Sequence, residues 1–115
     1  MRSLFTAPSR GLIVGLLLCV AATANAADSG QLRRKGKALL QENCGRCHAI
    51  GATGRSALKQ ATPMRDIYAK FATRELQEEL REGMVSRHRA MPQIEFSDEE
   101  VDAILAYLYA LAVKK

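Results

Sequence analysis

Tryptophan is absent from this 115-residue chain, histidine occurs twice, and cysteine, proline, phenylalanine and tyrosine occur three times each. Each shortage removes a class of function. With His48 and His88 as the only imidazoles, and with Cys19 set apart in an apolar lead, no four-ligand zinc set of recognisable spacing can be assembled. Aromatics are too few to interleave with basic residues, so the formal charge of +5 and a pI near 9.4 do not signal nucleic acid. Strand-like alternation of useful length is missing, and with it the strand-then-helix setting of a thioredoxin-type dithiol. The apolar run "GLIVGLLLCVAA", Gly11 to Ala22, falls short of the about 20 residues that a membrane span needs.

What that run does fit is a secretory signal. Arg2 and Arg10 give it a positive lead, and "ANA" at Ala24 to Ala26 is a small-residue cleavage pattern. The expected organisation is therefore a cleaved signal peptide over residues 1–26 and one domain over residues 27–115, exported and periplasmic, with no stable membrane insertion once the signal is gone. Cys19 belongs to the discarded core. Loss of Arg2 and Arg10 leaves 15 basic residues against 12 acidic ones, a formal charge of +3. A domain this small buries only roughly 60 to 65% of its unfolded surface and needs help from a disulfide, metal or cofactor.

Two cysteines with only two residues between them cannot staple a long loop, so "CGRCH", residues 44 to 48, reads as a cofactor site. Covalent haem attachment fits it best: Cys44 and Cys47 each add to one vinyl group, and His48, directly after, reaches the iron from the same side. Export agrees, since haem of this type is attached outside the cytoplasm. A redox dithiol is the remaining alternative.

The rest of the chain reads as helices joined by loops. "SGQLRRKGKALLQEN" has helical spacing, with Ser29 or Gly30 as a cap. "AIGATGRSALKQA" is a loop rich in turn formers. "TPMRDIYAKF" is a short helix with Thr62 as N-cap and Pro63 in the first helical position. "TRELQEELREGM" repeats Leu76, Leu80 and Met84 every four residues and ends at Gly83. After a loop from Val85 to Phe96, the last helix opens on a Ser97/Glu100 capping box, with Val101, Ile104, Leu105, Leu108 and Leu111 on one apolar face.

In that order, "CGRCH" after a first helix, a "MPQIEFSDEE" segment and a terminal helix containing "AYL", the chain resembles the small soluble monohaem cytochromes c of class I, bacterial members included. The likeness covers essentially all of residues 27–115. It implies an all-α, cytochrome c-like fold of three to five helices wrapped around one covalently attached haem c. It also implies an electron carrier rather than an enzyme: the iron changes oxidation state, both axial positions stay filled, and no substrate bond is made or broken. Family members bind the iron through the motif histidine and a methionine shortly before the last helix, often followed by proline. His48 and Met91, which precedes Pro92, match those positions. The family crosses its first and last helices at a small residue near an aromatic, matched by Gly36 and Tyr107. Leu40 departs from the aromatic that many members carry, and without tryptophan no indole can serve a haem propionate. Leu58, Met64, Ile67, Tyr68, Leu76, Leu80, Ile94 and Phe96 are the expected pocket walls, and they serve equally as ordinary core.

Among the methionines, Met1 leaves with the signal and Met84 continues a helical stripe. Met64 lies in the segment whose backbone carbonyl is expected to accept a hydrogen bond from the Nδ1 of His48, on the wrong side of the haem. Met91 has no stripe to explain it and is stiffened by Pro92. His88, three residues away, is its competitor and would make a bis-histidine site. A haem-based sensor or catalyst with an open sixth position, and a dedicated cytochrome subunit of a dehydrogenase or oxidase, are the alternative functions. Arg46, Arg55, Lys59, Arg87 and Arg89 lie where the haem edge is expected, while acidic residues gather on the later helices, so the expected partners are acidic redox proteins met through a basic face.

Overall fold

The computed structural model describes residues 11–71, 73–83 and 91–113, with side chains from Ala26 onward. Met84, Arg87, His88 and Arg89 lie outside the described residues. Four helices and no strand occur among those described: α1 (Gly11–Asn43), α2 (Met64–Lys70), α3 (Thr73–Glu82) and α4 (Asp98–Val113). The all-α fold class is the one observed. None of the helices, over the described residues, is long and apolar enough to cross a membrane.

α1 begins well before Ser29. No proline or glycine interrupts residues 16–29, and alanine, the best helix former, recurs at 21, 22, 24, 26 and 27. The helix therefore passes through the expected cap, and the Ser29 hydroxyl donates to the carbonyl of Ala26 (3.0 Å), one turn back. Cleavage after Ala26 would cut within this helix and leave residues 27–43 as its mature part.

α2 starts one residue later than expected. Pro63, with ψ at 142°, sits at the cap position, and its carbonyl accepts from the amides of Asp66 (2.9 Å) and Ile67 (3.1 Å). No side chain caps this end, so Thr62 is not the N-cap. A residue before proline is pushed toward extended backbone, which leaves the Thr62 carbonyl free to point elsewhere.

α3 buries Leu76 and Leu80 and ends where Gly83 takes a left-handed φ of +73°. At the start of α4 the capping box forms in both directions: the Ser97 amide donates to Glu100 Oε2 (3.0 Å), and the Glu100 amide donates to the Ser97 hydroxyl (3.4 Å). Val101, Ile104 and Leu108 of α4 are fully buried, and Leu105 and Leu111 pack against them half-buried.

The core is the seam where α4 lies against α1, with α2 and α3 packed on α4. Leu40, at the position where the family often has an aromatic, is fully buried in it. The two long helices touch backbone to backbone at Gly36: a side-chain carbon there would overlap the carbonyl of Ala103 and stand 2.9 Å from the amide nitrogen of Ile104. Gly36 is thus the crossing residue. Its immediate partners are Ala103 and Ile104, one turn before Tyr107. That ring is buried, and its hydroxyl donates to the carbonyl of Ile50 (3.1 Å), tying α4 to the loop after the motif. Because backbone cannot step aside, Gly36→Val should cost about 1 to 3 kcal/mol through overpacking. Denaturant midpoints of the two proteins measure this, and coincident midpoints would mean that the helices do not meet there.

Candidate functional site

The motif forms a tight turn at the C-terminal end of α1. The amide of Cys44 still donates to Leu40 (2.8 Å), and the carbonyl of Cys44 then receives both the amide of Cys47 (3.2 Å) and that of His48 (2.9 Å). Asn43 helps end the helix by donating its Nδ2 to the Leu39 carbonyl (2.8 Å). Gly45 suits the turn because a side-chain carbon would come within 2.5 Å of the Gln41 carbonyl oxygen. One turn therefore brings together Cys44, Cys47 and His48, and both thiols are free and half-buried.

The loop after the motif wraps back and fixes it. Leu58 donates its amide to the Cys47 carbonyl (3.1 Å), and the Ala49 amide donates to the Ser56 hydroxyl (2.9 Å). The Ala49 carbonyl in turn accepts from the Met64 amide (3.0 Å). Arg65 spans the loop, donating to the carbonyls of Gly51 (3.2 Å) and Gly54 (2.9 Å), and the second of these glycines has a φ of +94°.

The decisive contact lies between these layers. His48 Nδ1 donates to the carbonyl of Thr62 at 2.5 Å. A carbonyl can only accept, so the imidazole proton resides on Nδ1, and Nε2 keeps its lone pair for a metal. The bond also fixes the plane of the ring and raises its basicity as a ligand. The acceptor lies in the segment expected from the sequence, and the extended backbone before Pro63 is what presents it.

This setting suits haem attachment and does not suit a redox dithiol. Reactive dithiols stand at helix N-termini, where the macrodipole favours the thiolate; these two follow the C-terminal end of α1, where it opposes one. Burial also pushes the Cys44 thiol above its ordinary value. A group with two vinyl positions and an iron is matched by the residues present: two free thiols with two residues between them, and an imidazole next door with a lone pair to give.

Of the expected pocket walls, Met64, Ile67, Leu76, Leu80 and Phe96 are buried in the core cluster, with Tyr68 and Ile94 half-buried against it. Leu58 differs. Its backbone is tied to the motif, but its side chain is 39% exposed at the surface beside it. Met64 is buried, and its amide donates to the carbonyl of Ala49, the residue after His48. Met91 is half-buried at the start of the segment that leads into α4. His88 falls among the residues not described, as do Arg87 and Arg89. Gly45, Arg65 and the Tyr107 hydroxyl support the site without having been singled out for it; only Gly45 had a local signal, as the small residue inside the motif.

The family model described as "Cytochrome C oxidase, cbb3-type, subunit III" matches residues 31–108, from the middle of α1 through most of α4. No curated protein and no solved structure matches the chain.

Proposed function

The chain belongs to the family of cbb3-type cytochrome c oxidase subunit III, a family of c-type cytochrome domains, and from that premise we propose that it is an exported, periplasmic carrier of single electrons with His48 and Met91 as axial ligands. Haem c supplies the redox chemistry when bound, as an iron that gains and loses one electron. Everything else falls to the chain. Cys44 and Cys47 would hold the group by thioether bonds, and His48 would offer its Nε2 lone pair to the iron. Apolar residues around the site and a thioether ligand both favour the reduced, less charged iron, which raises the potential. The observation that carries this reading is the His48–Thr62 hydrogen bond on the same turn as two free thiols.

Met91 is supported by its half-buried place beside Pro92 and by the burial of Met64 on the histidine side. Met91→Ala should abolish the weak thioether-to-iron absorption near the red end of the oxidised spectrum and lower the potential, while His88→Ala leaves both nearly unchanged. The opposite pattern would make the site bis-histidine.

Arg46, Arg55 and Lys59 are exposed on the motif turn and the loop after it, which supports a basic docking face for an acidic redox partner. Electron transfer through such a face slows as salt rises, because screening shortens its reach to about 8 Å at 0.15 M. Rates that hold steady between low and high salt would remove the basic face from the account.

The description of the matching family favours a second reading, in which the chain is a fixed subunit of an oxidase. Mild-detergent purification separates the two. Recovery in fixed stoichiometry with an oxidase core assigns the subunit, and recovery alone assigns the free carrier.

A further inference from the structure

The chain leaves α3 at Gly83 and is next described at Met91, where a strap of seven residues, Met91–Ser97, leads into α4. That strap is fastened to the end of the helix the chain has just left. The last carbonyls of an α-helix have no partner inside it. Here the strap supplies two: the Phe96 amide donates to the carbonyl of Leu80 (3.1 Å), and Gln93 Nε2 donates to the carbonyl of Glu82 (3.3 Å). An ion pair between Arg81 in the last turn of α3 and Asp98 in the first turn of α4 (2.5 Å) closes the same seam, each charge lying at the helix end that favours it. Within the strap, Phe96 is buried in the core and Ile94 is half-buried against it.

At Gly83 the strap leaves no room for a side chain. The glycine's φ of +73° already disfavours a side chain, and a Cβ there would stand 2.7 Å from Gln93 Cγ and 3.2 Å from Glu95 Cγ. Met91 stands two residues from the fastened Gln93, with the fixed φ of Pro92 between them. Two residues reach at most about 7 Å, so the backbone of Met91 is held on a short, stiff tether. None of these contacts involves Cys44, Cys47 or His48.

Resting on the assignment of Met91 as sixth ligand, we propose that Gly83 and Gln93, together with the Arg81–Asp98 pair, are positioning residues for that ligand: they clasp the strap to α3 and so keep the Met91 thioether available to the iron. A thioether is a weak ligand, and its hold depends on how little freedom it gains by leaving. A short tether gives the departed sulfur a high effective concentration, and therefore a fast return. The clasp thus acts on the methionine side of the site alone, independently of the turn that holds His48.

The test compares holoprotein variants by the rate of carbon monoxide binding to the reduced form and by the thioether-to-iron absorption of the oxidised form. Gly83→Ala forces a side chain into a left-handed conformation and against Gln93, and opening the strap relieves both. Carbon monoxide binding should speed up roughly five- to thirtyfold, and the thioether absorption should weaken. Adding Gln93→Ala removes the overlapping Cγ, so the double variant should bind more slowly than the product of the two single effects predicts. Gly36→Ala, which strains the distant α1–α4 crossing, separates positioning from mere loss of stability: it should lower the denaturation midpoint and leave carbon monoxide binding close to wild type. Where Gly83→Ala does not accumulate with haem, Arg81→Met combined with Gln93→Ala removes two fastenings without strain and is read in the same way.

The clasp is wrong if these variants bind carbon monoxide no faster than wild type, or only as fast as an equally destabilised Gly36→Ala. If Met91→Ala opens the iron while the clasp variants do not, the proposal fails and the ligand assignment stands. If Met91→Ala changes neither signal, the ligand assignment fails and the clasp falls with it.

Discussion

The hydrogen bond from His48 Nδ1 to the Thr62 carbonyl is the constraint on which the rest of the site depends. It joins the turn that closes α1 to the segment that opens α2, and in doing so decides which ring nitrogen carries the proton. The consequence is chemical as well as structural. A free imidazole divides its proton between two nitrogens and turns about its side-chain bonds, whereas this one presents Nε2 in a fixed direction. The loop contacts around it make sense as supports of that bond. Met64 to Ala49, Leu58 to Cys47 and Ser56 to Ala49 bring the Thr62 segment alongside the motif, and Arg65 bridges the turn formers in between.

A second economy lies in how few elements the fold needs. Among the described residues four helices suffice, because the crossing at Gly36 lets α1 and α4 approach until their backbones touch, and that closeness seats Leu40 and Ile104 fully out of water. The Tyr107 hydroxyl then carries the position of α4 to the carbonyl of Ile50, two residues beyond His48. The crossing is thereby linked to the histidine side of the site alone: the helix pair sets where the motif turn ends, and the Thr62 carbonyl sets which way its histidine faces. On the other side, the strap that carries Met91 is hydrogen-bonded to the end of α3 and leads into α4. The two axial candidates thus rest on separate supports.

Sequence made the local devices plain and the long-range ones invisible. The Ser97/Glu100 capping box, the Gly83 stop and the stripe of α4 were legible because each is encoded within a few residues. Gly36 was legible too, through the resemblance to a family that crosses its first and last helices at a small residue. Ser29 misled because one hydroxyl serves equally to cap a helix or to bond one turn back inside it, and the alanine-rich residues before it decided for the second. At Thr62 the error was one residue of register: proline fixed the cap position itself and turned the residue before it into the histidine's acceptor. Arg65, Gln93 and the Tyr107 hydroxyl gave no signal at all. Their partners lie 11 to 57 residues away, and no periodicity relates them.

The carrier proposed here would fill both axial positions of its haem iron and so move electrons without binding a substrate. The absorption spectrum of the reduced, wild-type holoprotein before and after addition of carbon monoxide tests it most directly. A six-coordinate, low-spin spectrum that carbon monoxide changes only slowly is the result predicted for a carrier. Rapid conversion to a carbon monoxide complex would show an open or readily vacated sixth position, and would contradict the account in favour of a ligand-binding or catalytic haem protein.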